Sequence, residues 1–550
     1  MFRILLVAGV IGICTSLVTA DFESDVKKIE DLKMEVHDQS SRRAAIRRVG
    51  KAGTDTAART LVELLCDSYD MIRQVAFEAL VGMSGSDVDT VLIEEGLAHD
   101  NAIVRREVCD ILAIRKPKQA AEPLTRVMKR DKDDSVPPRA ARAVGFIGGE
   151  DAKGELERGL KRKGALGGQS AIALARLELV DEELSEDIAK LAGDRDWQGA
   201  VGALDAIKMV GPDPWLEDLG DALKNRDWRP RIALAQCLAA VDSDEQRAYV
   251  VELYTELLED DDWRVRRRTI EALVDWWQVE AIKLLIDTLE EEEGSLRYDI
   301  VHALVALCGG AFGYNTEAWK LWWVQKGESY QLREKPKRPR NGWLKAPDKD
   351  QVEREGGGHT ATFFNVPVFE QDSTFVFDMS GSMRNEVSKD DPRIKGDIAL
   401  QELARTLESM PEGADFNVQI FRFWSEWPQR TQEQSAFDSV QPLTDKNIKK
   451  AREWIASQEI RGYGAFYEAI LMACKDPSVE VVYFLSDGGP SQGRYCEKSN
   501  CAPALLEALR FYPVTIHTVL IGGSNSDEKF MEELAQQHGG SMVNTTGGEG

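Results

Sequence analysis

The chain of 550 residues is 43% hydrophobic and 30% charged, which supplies apolar side chains for two or more cores. Its formal net charge of -25 excludes a general nucleic-acid binder, for which a basic face is required. The same balance suits a soluble surface and permits divalent cations or basic segments as partners.

At the start of the chain, Arg3 precedes an uncharged run from Ile4 to Val18, and Val18-Thr19-Ala20 places small residues just before Asp21. A positive start, a short apolar stretch and a small-residue cleavage site predict a signal peptide over residues 1–20 and an exported chain, periplasmic, cell-surface or secreted. The run is too short for a comfortable membrane span. Cys14 follows Ile13 rather than a small residue, which argues against a lipid anchor. No other segment approaches transmembrane length.

Residues 21–326 repeat. Asp196-Trp197, Asp227-Trp228 and Asp262-Trp263 recur about every 30–35 residues, a period that marks stacked helical units. Arg73, Arg105, Arg139, Arg231, Arg266 and Arg297 each stand shortly before a small-plus-apolar pair such as Ala79-Leu80, Ala272-Leu273 or Ala303-Leu304. Apolar residues or proline just before those arginines suit the first turn of a helix. The pattern D-x-x-V-R followed by A-x-x-A-L resembles HEAT and related armadillo-type repeats, with the best copy at Asp262 to Arg266; the units near Gly168 and Ala200 lack the arginine. An aspartate at the helix start caps free amides, and the arginine is expected to bridge to a neighbouring unit's carboxylate or carbonyl. These residues are therefore structural, and the solenoid is expected to present a recognition surface.

Trp319, Trp322 and Trp323 follow at helical spacing and are expected to seal the last repeat. Residues 327–370 lack periodicity, carry the basic run KPKRPR (Lys335 to Arg340) and end a charged stretch in three glycines at Gly356 to Gly358. They read as a linker, whose basic part is expected to lie on an acidic surface of the same chain.

Residues 371–550 alternate strand and helix patterns. Thr374 to Phe377 reads as a strand buried on both faces, and it stops at Asp378. Asp378, Ser380 and Ser382 then offer a carboxylate and two hydroxyls at alternate positions, hard ligands suited to Mg²⁺, Ca²⁺ or Mn²⁺ rather than zinc or copper. Further strands are predicted over Asp415 to Phe423, Val479 to Leu485 and Val514 to Gly522, with helices over Ile398 to Met410 and Ala465 to Cys474. The sequence DMSGSM after a buried strand resembles the metal-ion-dependent adhesion site of von Willebrand factor A-type domains, and Phe530 to Val543 is similar to that family's last helix and closing strand. The resemblance implies an α/β doubly wound (Rossmann-like) domain holding a divalent metal through Asp378, Ser380, Ser382 and Asp487, weakly, because the family's site threonine falls on Gly464. A water in that place suits Mg²⁺, which normally keeps several. Metal-free use of the loop as a turn and cap is the alternative left open at this point.

Cys496 and Cys501 bracket a short polar loop, and in an exported chain they are predicted to form a disulfide. The other cysteines after the signal peptide read as buried thiols. The six histidines are scattered, without the spacing of a metalloprotease helix, and Gly82 to Ser86 lacks the last glycine of a nucleophile elbow. The reading is therefore an exported binding scaffold rather than an enzyme, whose A-type domain binds a divalent metal and a partner's carboxylate, with the solenoid as a second interaction surface. The alternatives are a metal-dependent hydrolase and a metal-independent interaction protein.

Overall fold

The computed structural model describes residues 22–32, 39–149, 152–292, 294–310, 312–339, 342–344, 361–368, 372–389, 391–411, 413–424 and 430–545. The signal peptide predicted over residues 1–20 lies outside them. The chain forms two compact units, Met1–Val210 and Gly211–Gly550. The repeats are thus divided between the units, and the later ones belong with the sheet.

The first unit is a run of helices from Gln39–Ala52 to Trp197–Val210. Asn101 caps the Ala102–Arg115 helix by accepting from the Ile103 N–H, and Arg105 in its first turn reaches both ways. It donates to the His99 carbonyl (2.8 Å) and, with Nε and Nη2, to Asp131 of the next unit (2.7 and 2.8 Å). Arg139 instead pairs backward with Asp110. Where the sequence has no arginine, packing takes another form. A Cβ built on Gly202 would lie 2.3 Å from the Gly168 Cα, so the Gly164–Arg176 and Trp197–Val210 helices meet backbone to backbone, an approach that only glycine permits.

In the second unit the same device recurs. Asp227 and Asp262 cap their helices. Arg231 donates to Asp260 (2.6 and 2.9 Å) and to the Asn225 carbonyl (2.6 Å), and Arg266 to Glu292 (2.6 Å) and the Asp260 carbonyl (2.8 Å). The last helix of the series, Thr316–Lys326, buries only Trp319 fully, with its indole N–H on the Gly313 carbonyl. Trp322 and Trp323 are half-buried, Trp322 edge-on to Trp319 and Tyr330, while Leu321 and Val324 are exposed.

The stretch read as a linker is partly folded. Its basic run lies on acidic groups of the Trp263–Trp276 helix: Arg338 pairs with Glu271 and Asp275, and the Trp343 indole donates to Asp275 (2.8 Å). Further on, β1 (Ala361–Phe363) and β2 (Val366–Val368) form a hairpin. Phe364 and Asn365 turn it with positive φ, 49° and 64°, the two-residue turn that matches strand twist. Phe363 is buried against Phe375 and Tyr483. The run ATFFNVPV was too short for its alternation to stand out from the surrounding loop.

The main sheet has the order β5–β4–β3–β7–β8–β9, with β6 also on β4. β3 (Ser373–Asp378), β4 (Asp415–Trp424), β7 (Val481–Ser486), β8 (Thr515–Ile521) and β9 (Met542–Thr545) are parallel, while β5 (Arg430–Ser435) and β6 (Gln441–Pro442) run antiparallel to β4. Both faces are covered. Phe375, Phe377, Tyr483 and Leu485 pack with Ile398, Leu403 and Ile455; Val376, Val482 and Phe484 pack with Phe466, Ile470, Leu505 and Met531. Burial on both sides is why the central strands read as continuous apolar runs. Strand order reverses between β3 and β7, the place beyond whose carboxyl ends such sheets bind ligands.

The Trp263–Trp276 helix of the repeats sits against this sheet's domain. Arg267 pairs with Asp299 (2.8 Å) and donates to Thr515 Oγ1 (2.6 Å) at the start of β8, and the Trp263 indole donates to the Pro477 carbonyl (3.0 Å). Glu480, just before β7, accepts from Ser295, and burial pushes its carboxyl up to about 7.

Two outcomes are expected. Arg231→Ala leaves Asp260, itself nearly buried, without its guanidinium and should lower stability by about 2–3 kcal/mol in urea unfolding, with Arg231→Met/Asp260→Leu recovering part of the loss. Because Glu480 is held protonated in the folded chain, the native state binds more protons than the unfolded one between the ordinary carboxylate range and pH 7. Stability should therefore fall as pH rises through that window, by at most about 3 kcal/mol; Glu480→Gln should flatten this part of the profile, and an unchanged slope would contradict the assignment.

Candidate functional site

Asp378 is the last residue of β3, and Ser486-Asp487 leave the end of the adjacent β7. The two strands on either side of the order reversal thus deliver two aspartates to one edge of the sheet. After Asp378 the chain turns at Ser380 into the single helical turn Gly381–Arg384. Backbone bonds pin that turn: the Met379 N–H donates to the Phe421 carbonyl (3.0 Å), Arg461 N–H to the Met379 carbonyl (2.7 Å) and Gly381 N–H to the Gly462 carbonyl (3.0 Å).

The side chains form one connected network. The Ser380 N–H donates to Asp378 Oδ1 (2.7 Å) and Ser486 Oγ donates to Asp378 Oδ2 (2.6 Å). Ser380 Oγ lies 3.0 Å from Ser382 Oγ, which donates to Asp487 Oδ1 (2.8 Å). The fourth carboxylate oxygen, Asp487 Oδ2, accepts from Lys395 Nζ at 2.9 Å. Asp378, Ser380, Asp487 and Lys395 are buried, and Ser382 is the exposed member. The four residues singled out from sequence, Asp378, Ser380, Ser382 and Asp487, therefore come together, joined by Ser486 and Lys395, which sequence reasoning passed over. Ser486 had a signal, a hydroxyl at the end of an apolar strand. Lys395 had none, being one of many lysines.

The electrostatics follow from burial. Asp378 accepts only from neutral donors, and desolvation together with the charge of Asp487 pushes its carboxyl up to about 6. Asp487 has the ammonium as counter-ion. Two carboxylates and two hydroxyls are a hard-oxygen set of the kind Mg²⁺ or Ca²⁺ takes, so the donors fit such an ion in kind. Among the described residues no three His, Cys, Asp or Glu side chains gather to hold a metal; this cluster offers two acids, with hydroxyls for the rest.

Gly464 adds backbone alone. Its N–H donates to Ser491 Oγ (3.1 Å), and its carbonyl accepts from the Ser491 and Gln492 N–H groups (3.0 and 3.1 Å). A Cβ there would meet the Phe466 ring at 3.1 Å and Phe421 at 3.6 Å. A side chain at 464 would thus press on the Phe466 ring, which would have to yield by a few tenths of an ångström.

The bridge predicted between Cys496 and Cys501 is not formed; both are thiols. Cys501 sits in the Lys498–Ala508 helix and is buried in the core beneath the sheet, where desolvation raises its pKa, while Cys496 precedes the helix and is partly exposed.

Ser486→Ala removes the donor to Asp378 Oδ2. It should cost about 1–2 kcal/mol in chemical unfolding at neutral pH, and a variant as stable as wild type would show that this hydroxyl does not support the carboxylate.

Comparison with known proteins bears on the repeats. The sequence profile of HEAT repeats matches residues 90–175. Among solved structures, the chain is similar to human deoxyhypusine hydroxylase in complex with glycerol, at 15% identity and a TM-score of 0.23, covering 50% of this chain and 97% of that one. It is also similar to the CpcE–CpcF complex of phycocyanin lyase from Nostoc sp. PCC7120, at 17% identity and a TM-score of 0.28, covering 39% of this chain and 92% of that one. No curated protein sequence matches the chain. The chain therefore contains HEAT repeats, followed by a region built on a mixed, largely parallel sheet.

Proposed function

We propose that the chain is an exported interaction scaffold: its HEAT repeats offer one binding surface, and the rim formed by Asp378, Ser380, Ser382 and Asp487 offers another. In this reading the sheet region is a von Willebrand factor A-type domain. The rim takes a weakly held divalent cation, Mg²⁺ or Ca²⁺ or Mn²⁺, through those four residues. Bound there, the cation would turn a pair of like-charged aspartates into a receptor for a partner's carboxylate. Ser382, the exposed member, marks the side from which a partner arrives. The reading rests above all on one observation: Asp378, Ser380 and Ser382 of one loop are hydrogen-bonded into a single cluster with Asp487, more than a hundred positions further along the chain, at the order reversal of the sheet. The signal-peptide pattern of residues 1–20 supports export. No helix among the described residues is long and apolar enough to cross a membrane.

A second reading, interaction without metal, is favoured by the Lys395 ammonium on Asp487 and by the side-chain oxygen missing at Gly464. Calorimetric titration of Mg²⁺, Ca²⁺ and Mn²⁺ into the mature chain separates the two. Weak binding that Asp378→Ala abolishes is the expected result. Heat that persists in Asp378→Ala would move the ion elsewhere, and no heat in either chain would leave the metal-free reading.

A further inference from the structure

Lys395 stands where its placement needs a reason. It opens the Lys395–Ser409 helix, the end at which aligned peptide dipoles disfavour a cation, and its side chain is buried, 9% exposed against 4% for Asp487. A buried ammonium persists only when it is paired. The backbone holds it there: the Lys395 N–H donates to the Asn385 carbonyl (3.1 Å), and the excursion between them is closed by Val387 N–H on the Arg393 carbonyl (3.0 Å) and a bridge of Glu386 to Ile394. The lysine stem passes the turn after β8, where a Cβ on Gly522 would lie 3.6 Å from Lys395 Cε. Helix start, closed loop and glycine turn together aim one cation at one oxygen of Asp487.

We propose that Lys395 is a tethered competitor for the rim: its ammonium and a divalent cation are alternative occupants of Asp487, so that ion binding requires the Lys395–Asp487 bond to open. The inference rests on the ion-binding reading given above. With the ammonium in place the cluster holds two carboxylates and one cation; a divalent ion added to it would meet like charge across a single carboxylate, whose two oxygens lie on one carbon. Once the lysine withdraws, two carboxylates face one dication and the charges balance. Competition of this kind is reciprocal, since whatever the ammonium takes from the ion's affinity the ion takes from the ammonium's hold.

Two measurements on the mature chain test it. The first is calorimetry with Mn²⁺ and Mg²⁺ on wild type, Lys395→Met and Lys395→Gln, each checked for a cooperative thermal transition. Binding at least tenfold tighter in a folded Lys395 variant is expected. Equal or weaker binding in the variants, with wild type still binding, overturns the competition and leaves the ion site standing; no binding by any chain overturns both. The second reads wild type alone, by amine labelling of Lys395 followed by mass spectrometry. Saturating Mg²⁺ should raise the labelling rate at Lys395 severalfold relative to the ion-free chain, and a rate unchanged or lowered by the ion would refute the exchange even if the variants fail to fold.

Discussion

Two buried aspartates gathered into one cluster at the ends of neighbouring strands are the constraint to which the sheet region answers. Like charges in a desolvated place repel and favour protonation, so such a pair persists only with compensation. The compensation here has two unequal parts. Asp487 has a full positive charge against it, whereas Asp378 has only a backbone amide and a serine hydroxyl, and its raised carboxyl records the difference. The order of the strands makes the meeting unavoidable: β3 and β7 are neighbours and parallel, and the chain leaves them toward the same edge in opposite lateral directions.

Much of this was legible beforehand because it rests on local chemistry. Alternating hard ligands after an apolar run announced Asp378, Ser380 and Ser382, and an aspartate after a second such run announced Asp487. The repeats showed themselves through Arg105, Arg231 and Arg266, whose partners lie in the next unit, since a device used at each step leaves a period in the sequence. What stayed hidden depends on tertiary placement. Lys395 opens a helix, where sequence gives a lysine no reason to turn inward, and nothing near it in the chain points to Asp487. The Phe363 hairpin is three residues a side, too brief for a pattern. The Cys496 and Cys501 pair looked bridgeable by spacing, but a helix starts between them, Cys501 is buried within it and Cys496 precedes it partly exposed, and both stay thiols.

Gly464 shows how one residue serves two demands. Against a family pattern it is a missing ligand; in the structure it lies beside the paired rings of Phe466 and Phe421, where an added Cβ would press on Phe466 at 3.1 Å.

The Trp263–Trp276 helix belongs to the repeats by sequence yet keeps part of its side-chain inventory for the sheet region: Arg267 on Thr515, Arg268 on the Arg510 carbonyl, Trp263 on Pro477. Proteolytic excision of the sheet region at the glycine-rich stretch before β1 would strand these groups, leaving two guanidiniums and an indole without these acceptors on one fragment and two carbonyls and a hydroxyl without these donors on the other. The boundary that composition draws between modules is therefore not a seam along which the molecule comes apart, and strain applied to the last repeats would reach the first residue of β8 through a single guanidinium.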